Sequence, residues 1–423
     1  MMRPLHTIAV LASAVVLLPT ASCKSGTGPP KPPARIETLP RDLTVAEREI
    51  IDRSNDFAFQ LLRQVRAQRS SPNTFLSPLS ASMALGMTLN GAANATFDSM
   101  RATLGFEGLS QGEINRSYHD LKDLLTGLDP HVDLLIANAT FARDGYPFVP
   151  SFFDSVTTWF DAAAQTLDFG NPSAVNTINQ WASDNTEGLI PKVIDQITPD
   201  QILFLLNAVY FKGDWTDQFD KAHTSPSSFT LADGKRVQVP TMHGEIRVGR
   251  HWTPGVLVGE LPYGGQAFVM DVVVPQDTAT LDGVLAALNA QTWADWTGGF
   301  PDDYTQIEPI DVALPKLELK TEDTLNTPLS NMGMGIAFDP NRADFSHMVT
   351  PPPDVHIDFV KQNTYLKVDE EGTTAAAVTT VGMGVTAVPA GLIVDRPYLL
   401  VIRERLSGTI LFIGAIGDPR ASE

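Results

Sequence analysis

The chain has 423 residues, 43% hydrophobic and 19% charged, enough apolar material for a large folded core. Its 49 acidic against 30 basic residues give a net charge of −19, which argues against a nucleic-acid partner. The single cysteine, Cys23, excludes an internal disulfide framework and a cysteine-built zinc site.

Residues 1–22 read as a signal peptide. Arg3 supplies the one firm positive charge, and Ile8 to Leu18 is an uncharged apolar run too short to span a membrane. Cys23 follows Thr20-Ala21-Ser22, which resembles a bacterial lipobox, although Thr20 stands where leucine is usual. The alternative is an ordinary cleaved signal that leaves a free thiol. Export from a bacterium-like cell is expected, ending as a cell-envelope lipoprotein anchored at Cys23 or as a secreted protein. Residues 23–44 contain KSGTGPPKPPARIETLP and are expected to form a Pro/Gly-rich tether. From 45 to 423 no such linker recurs and no repeat is found, so one large domain is expected.

Within that domain, apolar residues at Ile50, Ile51, Phe57, Leu61 and Leu62 predict an amphipathic helix over Val45 to Val65. Leu79 to Leu89 predicts a buried helix, with Ser77 and Ser80 placed to cap its start. Leu203 to Phe211 is continuously apolar and predicts a strand buried on both faces. Phe268 to Val274, Ile307 to Leu319 and Leu399 to Ile416 predict further strands, the last two broken by turns. Helices early and strands late predict an α+β architecture with large sheets.

No H-E-x-x-H, P-loop or G-x-G-x-x-G motif occurs. The eight histidines show no metal-ligand spacing, so neither a metal nor a cofactor is expected, and the chain does not read as an enzyme. The acidic pairs Asp302-Asp303 and Glu370-Glu371 are expected to be solvated turns.

The unusual stretch is Gly372 to Val394, GTTAAAVTTVGMGVTAVPAGLIV, which carries no charge and directly follows Asp369-Glu370-Glu371. Its glycines, threonines and Pro389 make a poor membrane helix, its valines a poor flexible linker, and the glycines around Met383 a weak permanent strand. An exposed loop able to become a central strand fits every feature. Such a loop cannot bring in an unpaired charge or an early proline, and the first proline here is Pro389. Alternation would put Thr373, Ala375, Ala377 and Thr379 on one face and Thr374, Ala376, Val378 and Thr380 on the other, all small or β-branched. Gly372 supplies the freedom for the turn into the sheet.

VDEEGTTAAAVT, Val368 to Thr379, resembles the loop hinge of the serpins. NTFLSPLSASMALGMTLNGA (Asn73 to Ala92), LLNAVYFKGDWTDQFDKAHT (Leu205 to Thr224), ADFSHM (Ala343 to Met348) and DRPYLLVIRERLSGTILFIGAIGDP (Asp395 to Pro419) resemble further landmarks of that family in their usual order. The resemblance implies a single serpin domain with a large central mixed sheet, further sheets, eight or nine helices and an exposed reactive-centre loop. Its hinge would comprise Glu370, Glu371, Gly372, Thr373, Thr374, Ala375, Ala376, Ala377 and Val378. Ser77, Ser80 and Asn207 match the region behind the sheet called the shutter, and Trp215 matches the tryptophan beneath the loop's entry point. Gln362 stands where the family usually has a histidine bonded to the shutter asparagine, so a Gln362–Asn207 hydrogen bond is expected. Thr374 replaces a common hinge glutamate.

The resemblance further implies suicide-substrate inhibition of a serine protease in a covalent 1:1 complex, by a monomer that touches membrane only through a lipid on Cys23. Counting sixteen residues beyond Glu370, or back eleven from Pro397, places the scissile bond at Thr386–Ala387. No Lys, Arg or aromatic residue lies between Gly372 and Asp395, so an elastase-like or subtilisin-like target is expected. A non-inhibitory binding protein and a simple protease substrate are the alternatives.

Overall fold

Helix α1, Val45–Arg66, begins at a capping box. The Thr44 hydroxyl accepts from the Glu47 N–H at 3.1 Å, and the Glu47 carboxylate accepts from the Thr44 N–H at 2.7 Å. Its apolar residues recur at helical spacing, so Ile50, Phe57, Leu61 and Val65 share a buried face. Strand β1 (Asn73–Leu76) leads into α2 (Pro78–Leu89), where the Ser77 hydroxyl accepts from the Ser80 N–H at 3.4 Å and proline opens the helix. There follow α3 (Asn94–Thr103), α4 (Gln111–Leu125), β2 (Val132–Arg143), α5 (Pro150–Phe160), β3 (Ala163–Leu167), α6 (Ser173–Asp184) and β4 (Leu203–Asp214). Strands then dominate: β5 (Ser225–Thr230), β6 (Arg236–Ile246), β7 (Gly249–Thr253), β8 (Val256–Pro262) and β9 (Phe268–Pro275). Short helices at Leu281–Ala287 and Ala290–Thr297 precede β10 (Ile310–Pro315) and β11 (Leu317–Thr324). After a last helical stretch from Asn326 come β12 (Lys361–Val368), β13 (Gly372–Thr373), β14 (Leu392–Ile393), β15 (Tyr398–Glu404) and β16 (Ile410–Ile416).

This computed structural model describes residues 33–351, 355–373 and 391–421, all within one compact unit, Pro32–Glu423. The strands form four sheets among the described residues. An antiparallel sheet in the order β1-β16-β15-β9-β8-β7 is the core; β8, β9, β15 and β16 are buried along their whole length. A second sheet runs β14-β10-β6-β5, with β14 parallel to β10. A third runs β13-β4-β2-β3 and is mixed, because β3 lies parallel to β2. The fourth is the pair β11-β12, whose alternating burial marks a sheet with one covered face. The α+β architecture with multiple sheets is as expected.

Two expectations change. Strand β4 is only half-buried, because no ladder joins it to β12 among the described residues and one edge is left open. The tether expected to reach residue 44 packs on the domain well before that. Ile36 donates its N–H to the Gly265 carbonyl at 2.8 Å, and Ile36, Leu39 and Leu43 lie against the core.

Candidate functional site

The site starts where β12 ends. Asp369 and Gly372 exchange backbone hydrogen bonds, Asp369 N–H to Gly372 O at 2.9 Å and the reverse at 3.3 Å, so Glu370 and Glu371 form a tight two-residue turn. Beyond it the chain runs back antiparallel to β4, with Gly372 opposite Asp214 and Thr373 opposite Gly213. Gly372 has φ +143°, and a Cβ there would fall 2.7 Å from Asp214 Cα and 2.8 Å from Trp215 N, so only glycine fits.

Glu370 and Glu371 are not the solvated turn expected from their sequence. They are 3% and 4% exposed. Buried carboxylates require partners, and each has found a lysine. Glu370 accepts from Lys316 Nζ at 2.7 and 2.8 Å and from the Thr224 hydroxyl at 2.6 Å. Burial pushes its carboxyl up, but the hydrogen bonds from Lys316 and Thr224 outweigh that and hold it below its ordinary range. Glu371 pairs with Lys221, and Asp369 pairs with Lys367 at 2.9 Å. The turn's carbonyls are also taken: Trp215 N–H donates to Glu371 O and Phe219 N–H to Glu370 O, both at 2.9 Å. Trp215 lies beneath, 3% exposed, stacked on Tyr263 with centroids 4.4 Å apart and its indole N–H on Asp369 O.

Below this turn, β4 and β12 diverge and leave a cavity of about 360 Å³. Its walls include Asn207 and Leu205 from β4, Gln362 and Thr364 from β12, Ser80 from α2, and Trp181 from α6. Asn207 Nδ2 donates to Asn138 Oδ1 at 2.7 Å, and Asn138 Nδ2 donates to Phe160 O at 2.7 Å. Asn207 Oδ1 is buried without a partner. The Ser80 hydroxyl faces Asn207 O at 3.5 Å.

The expected Gln362–Asn207 hydrogen bond is not formed. Gln362 turns instead to Ser77, accepting from its N–H at 3.1 Å and donating to its carbonyl at 2.7 Å. Ser77 caps α2, so its carbonyl already accepts the first intrahelical bond from the Ala81 N–H at 3.1 Å while its N–H has no intrahelical partner; the Gln362 amide gives that N–H an acceptor and adds a second donor to the carbonyl. Sequence reasoning also missed Lys316, Thr224 and Lys221, whose only signal is their charge or hydroxyl. Hinge residues Thr374 to Val378, the bond Thr386–Ala387 and Cys23 lie outside the described residues.

The comparisons with known proteins agree with this geometry. Residues 52–419 match the family model described as "Serpin (serine protease inhibitor)". Serpin B8 of Bos taurus is 31% identical, over 88% of this chain and 99% of its own length. Among solved structures, the thermophilic serpin tengpin in its native state superposes with TM-score 0.77 at 25% identity, covering 91% of this chain and 97% of its own. Human thyroxine-binding globulin complexed with its hormone gives TM-score 0.79 at 28% identity, covering 89% and 100%. An open sheet, a glycine hinge feeding into it and a match along most of the chain converge on one conclusion: this protein belongs to the serpin family.

Proposed function

We propose that the chain is an irreversible inhibitor of serine proteases that traps its target by inserting the cleaved segment between β4 and β12. The observation that carries this reading is the hinge. Gly372 and Thr373 already lie on β4 as the first rungs of an added strand, and among the described residues nothing pairs with the edge of β4 below them. Extending that register would set Ala375 opposite Phe211, Ala377 opposite Val209 and Thr379 opposite Asn207. About 15 residues at roughly 3.3 Å each would span about 50 Å.

In the proposed reaction the protease's serine oxygen attacks the Thr386 carbonyl, the Thr386–Ala387 bond breaks, and the Ala387 amine leaves with the proton. The protease stays bound to Thr386 through an ester. Insertion then carries that ester away from its catalytic geometry before water attacks. Small residues around the bond favour elastase-like or subtilisin-like enzymes. The same reading has the domain exported and anchored through a lipid on Cys23, which Cys23→Ser would release into the medium.

The test is incubation with a pancreatic-type elastase and with subtilisin, read on a denaturing gel. A band near the summed masses, stable to boiling, supports trapping. Cleavage of the chain with no such band by either enzyme overturns it for these targets and favours a substrate or a carrier.

A further inference from the structure

Residues 33–44 precede the family match, which starts at 52, yet they are docked on the domain. Ile36, Leu39 and Leu43 pack against the core, and Pro33 and Pro40 limit the freedom this segment gives up on docking. Both ends are fastened. Toward α1, the Arg41 guanidinium forks onto the carboxylate of Glu47, 1% exposed, and donates to the Asp120 carbonyl of α4 at 3.0 Å. At the other end Arg35 lies 3.9 Å from Asp303, and the Ile36 N–H donates to the Gly265 carbonyl at 2.8 Å. Gly265 permits this approach, because a Cβ there would fall 2.7 Å from the Ala34 carbonyl oxygen and 3.2 Å from Ile36 Cδ1.

Gly265 belongs to the turn 263–266 between β8 and β9, and that turn needs support from outside. Gln266 holds φ +69°, a left-handed conformation that is unfavourable for a residue with a side chain. Its amide is buried and has no protein partner on either atom among the described residues. Three neighbours hold the turn in place. The Asp129 carboxylate accepts from the Gly265 N–H at 2.7 Å, the Thr216 hydroxyl donates to the Gly264 carbonyl at 2.8 Å, and Ile36 donates to Gly265 from the docked segment. The turn in its place supports the hinge. The Gly264 N–H donates to the Asp214 carbonyl at 2.8 Å, and Tyr263 stacks on Trp215. Asp214 lies opposite Gly372, and Trp215 holds the carbonyls of Asp369 and Glu371.

We propose that residues 33–44 are a strap that braces the turn 263–266 against Asp214 and Trp215, and so sets how firmly the hinge at 369–373 is held. The strained residue is the link. With the strap released, Gln266 relaxes out of the left-handed region, which draws Gly264 away from Asp214 and Tyr263 away from Trp215. A cut or a pull on residues 33–44 is thereby felt where the uncharged segment begins, while the core strands β15 and β16, which the strap does not brace, stay closed.

Hydrogen exchange on the whole chain tests the strap with no protease present. Ile36→Asp sets a charge against the core and should undock the segment; Ile36→Ala trims the same contact and decides the matter if the first variant fails to fold. Exchange is expected to quicken several-fold in three places, 33–44, 263–266 and 369–373, with the rates in β15 and β16 unchanged. Gln266→Gly relieves the strained turn, since glycine adopts φ +69° freely. In that background Ile36→Ala should quicken 369–373 much less than it does alone. Faster exchange limited to 33–44, or to 33–44 and 263–266, overturns the strap's hold on the hinge. Equal quickening in β15 and β16 also overturns it, because the segment would then steady the whole domain rather than this turn. An equal hinge response with and without Gln266→Gly overturns the strained turn as the link.

Discussion

The indole N–H of Trp215 donates to the backbone carbonyl of Asp369 at 2.9 Å, across the point where the chain leaves β12 and turns into β13. Tyr263 backs the ring, Phe219 meets it edge-on, and the Trp215 backbone N–H holds the Glu371 carbonyl. A single residue, through its side chain and its backbone, thus fixes both arms of the turn. Trp215→Phe keeps the stacking surface but removes one of the two donors to the Asp369 carbonyl, leaving only the Gly372 N–H, at a cost of about 0.5–1.5 kcal/mol. The expected result is a lower thermal midpoint and faster hydrogen exchange confined to residues 369–373; an unchanged exchange map would remove Trp215 from this role.

Replacing Gly372 tests the hinge geometry itself. Alanine at φ +143° costs on the order of 1–3 kcal/mol in backbone strain alone, before the contacts with Asp214 and Trp215. Gly372→Ala should therefore lift the start of β13 off β4 while leaving the core sheet intact. The amides of residues 372 and 373 should exchange faster, with far-ultraviolet circular dichroism unchanged. If the chain also inhibits a protease, the variant should be consumed as a substrate more often per trapped enzyme.

Acid should loosen the same turn. The Glu370 carboxyl is held below its ordinary value, so the unfolded chain takes up a proton first as the pH falls. The stability that Glu370 contributes is present above about pH 4.3 and is lost as the pH drops through its lower folded value. Glu370→Gln should remove this part of the acid response and weaken the hinge at neutral pH, where Lys316 and Thr224 lose an ionised acceptor. Urea unfolding of both proteins from pH 3 to 7 measures the difference, and parallel profiles would show that Glu370 contributes nothing ionic.

Much of the fold was legible because its signals are local. The Thr44–Glu47 capping box, the helical spacing of Ile50 and Phe57, and Ser77 before Pro78 each involve residues only a few positions apart. Strands β9, β15 and β16 stood out as largely apolar runs because they are buried on both faces. What stayed hidden depends on partners far away in the chain. Nothing near Glu370 announces Lys316, 54 positions off, or Thr224, 146 positions off. An acidic pair after a strand reads as solvated when its cations are contributed by other elements. Glu260, Asp271 and Arg403 were hidden for the same reason, since they come from three different strands and meet only across the folded sheet.

The substitution of glutamine for the family's usual histidine at 362 has a definite energetic consequence. Gln362 bonds both backbone groups of Ser77, whereas Asn207 bonds Asn138, and the two side chains share no hydrogen bond. Gln362→Ala should cost about 1–3 kcal/mol, because it leaves the buried Ser77 N–H without its acceptor at the start of α2. Asn207→Ala should cost less, since its Oδ1 has no partner to lose. The double variant should be nearly additive, within about 0.5 kcal/mol, as expected for side chains that do not bond each other. Urea unfolding of the four proteins completes the cycle. A coupling well above that value would mean that the two amides meet in solution. Near-additivity would mean that the shutter of this chain is two separate clasps, one on α2 and one on β2, with the cavity between them.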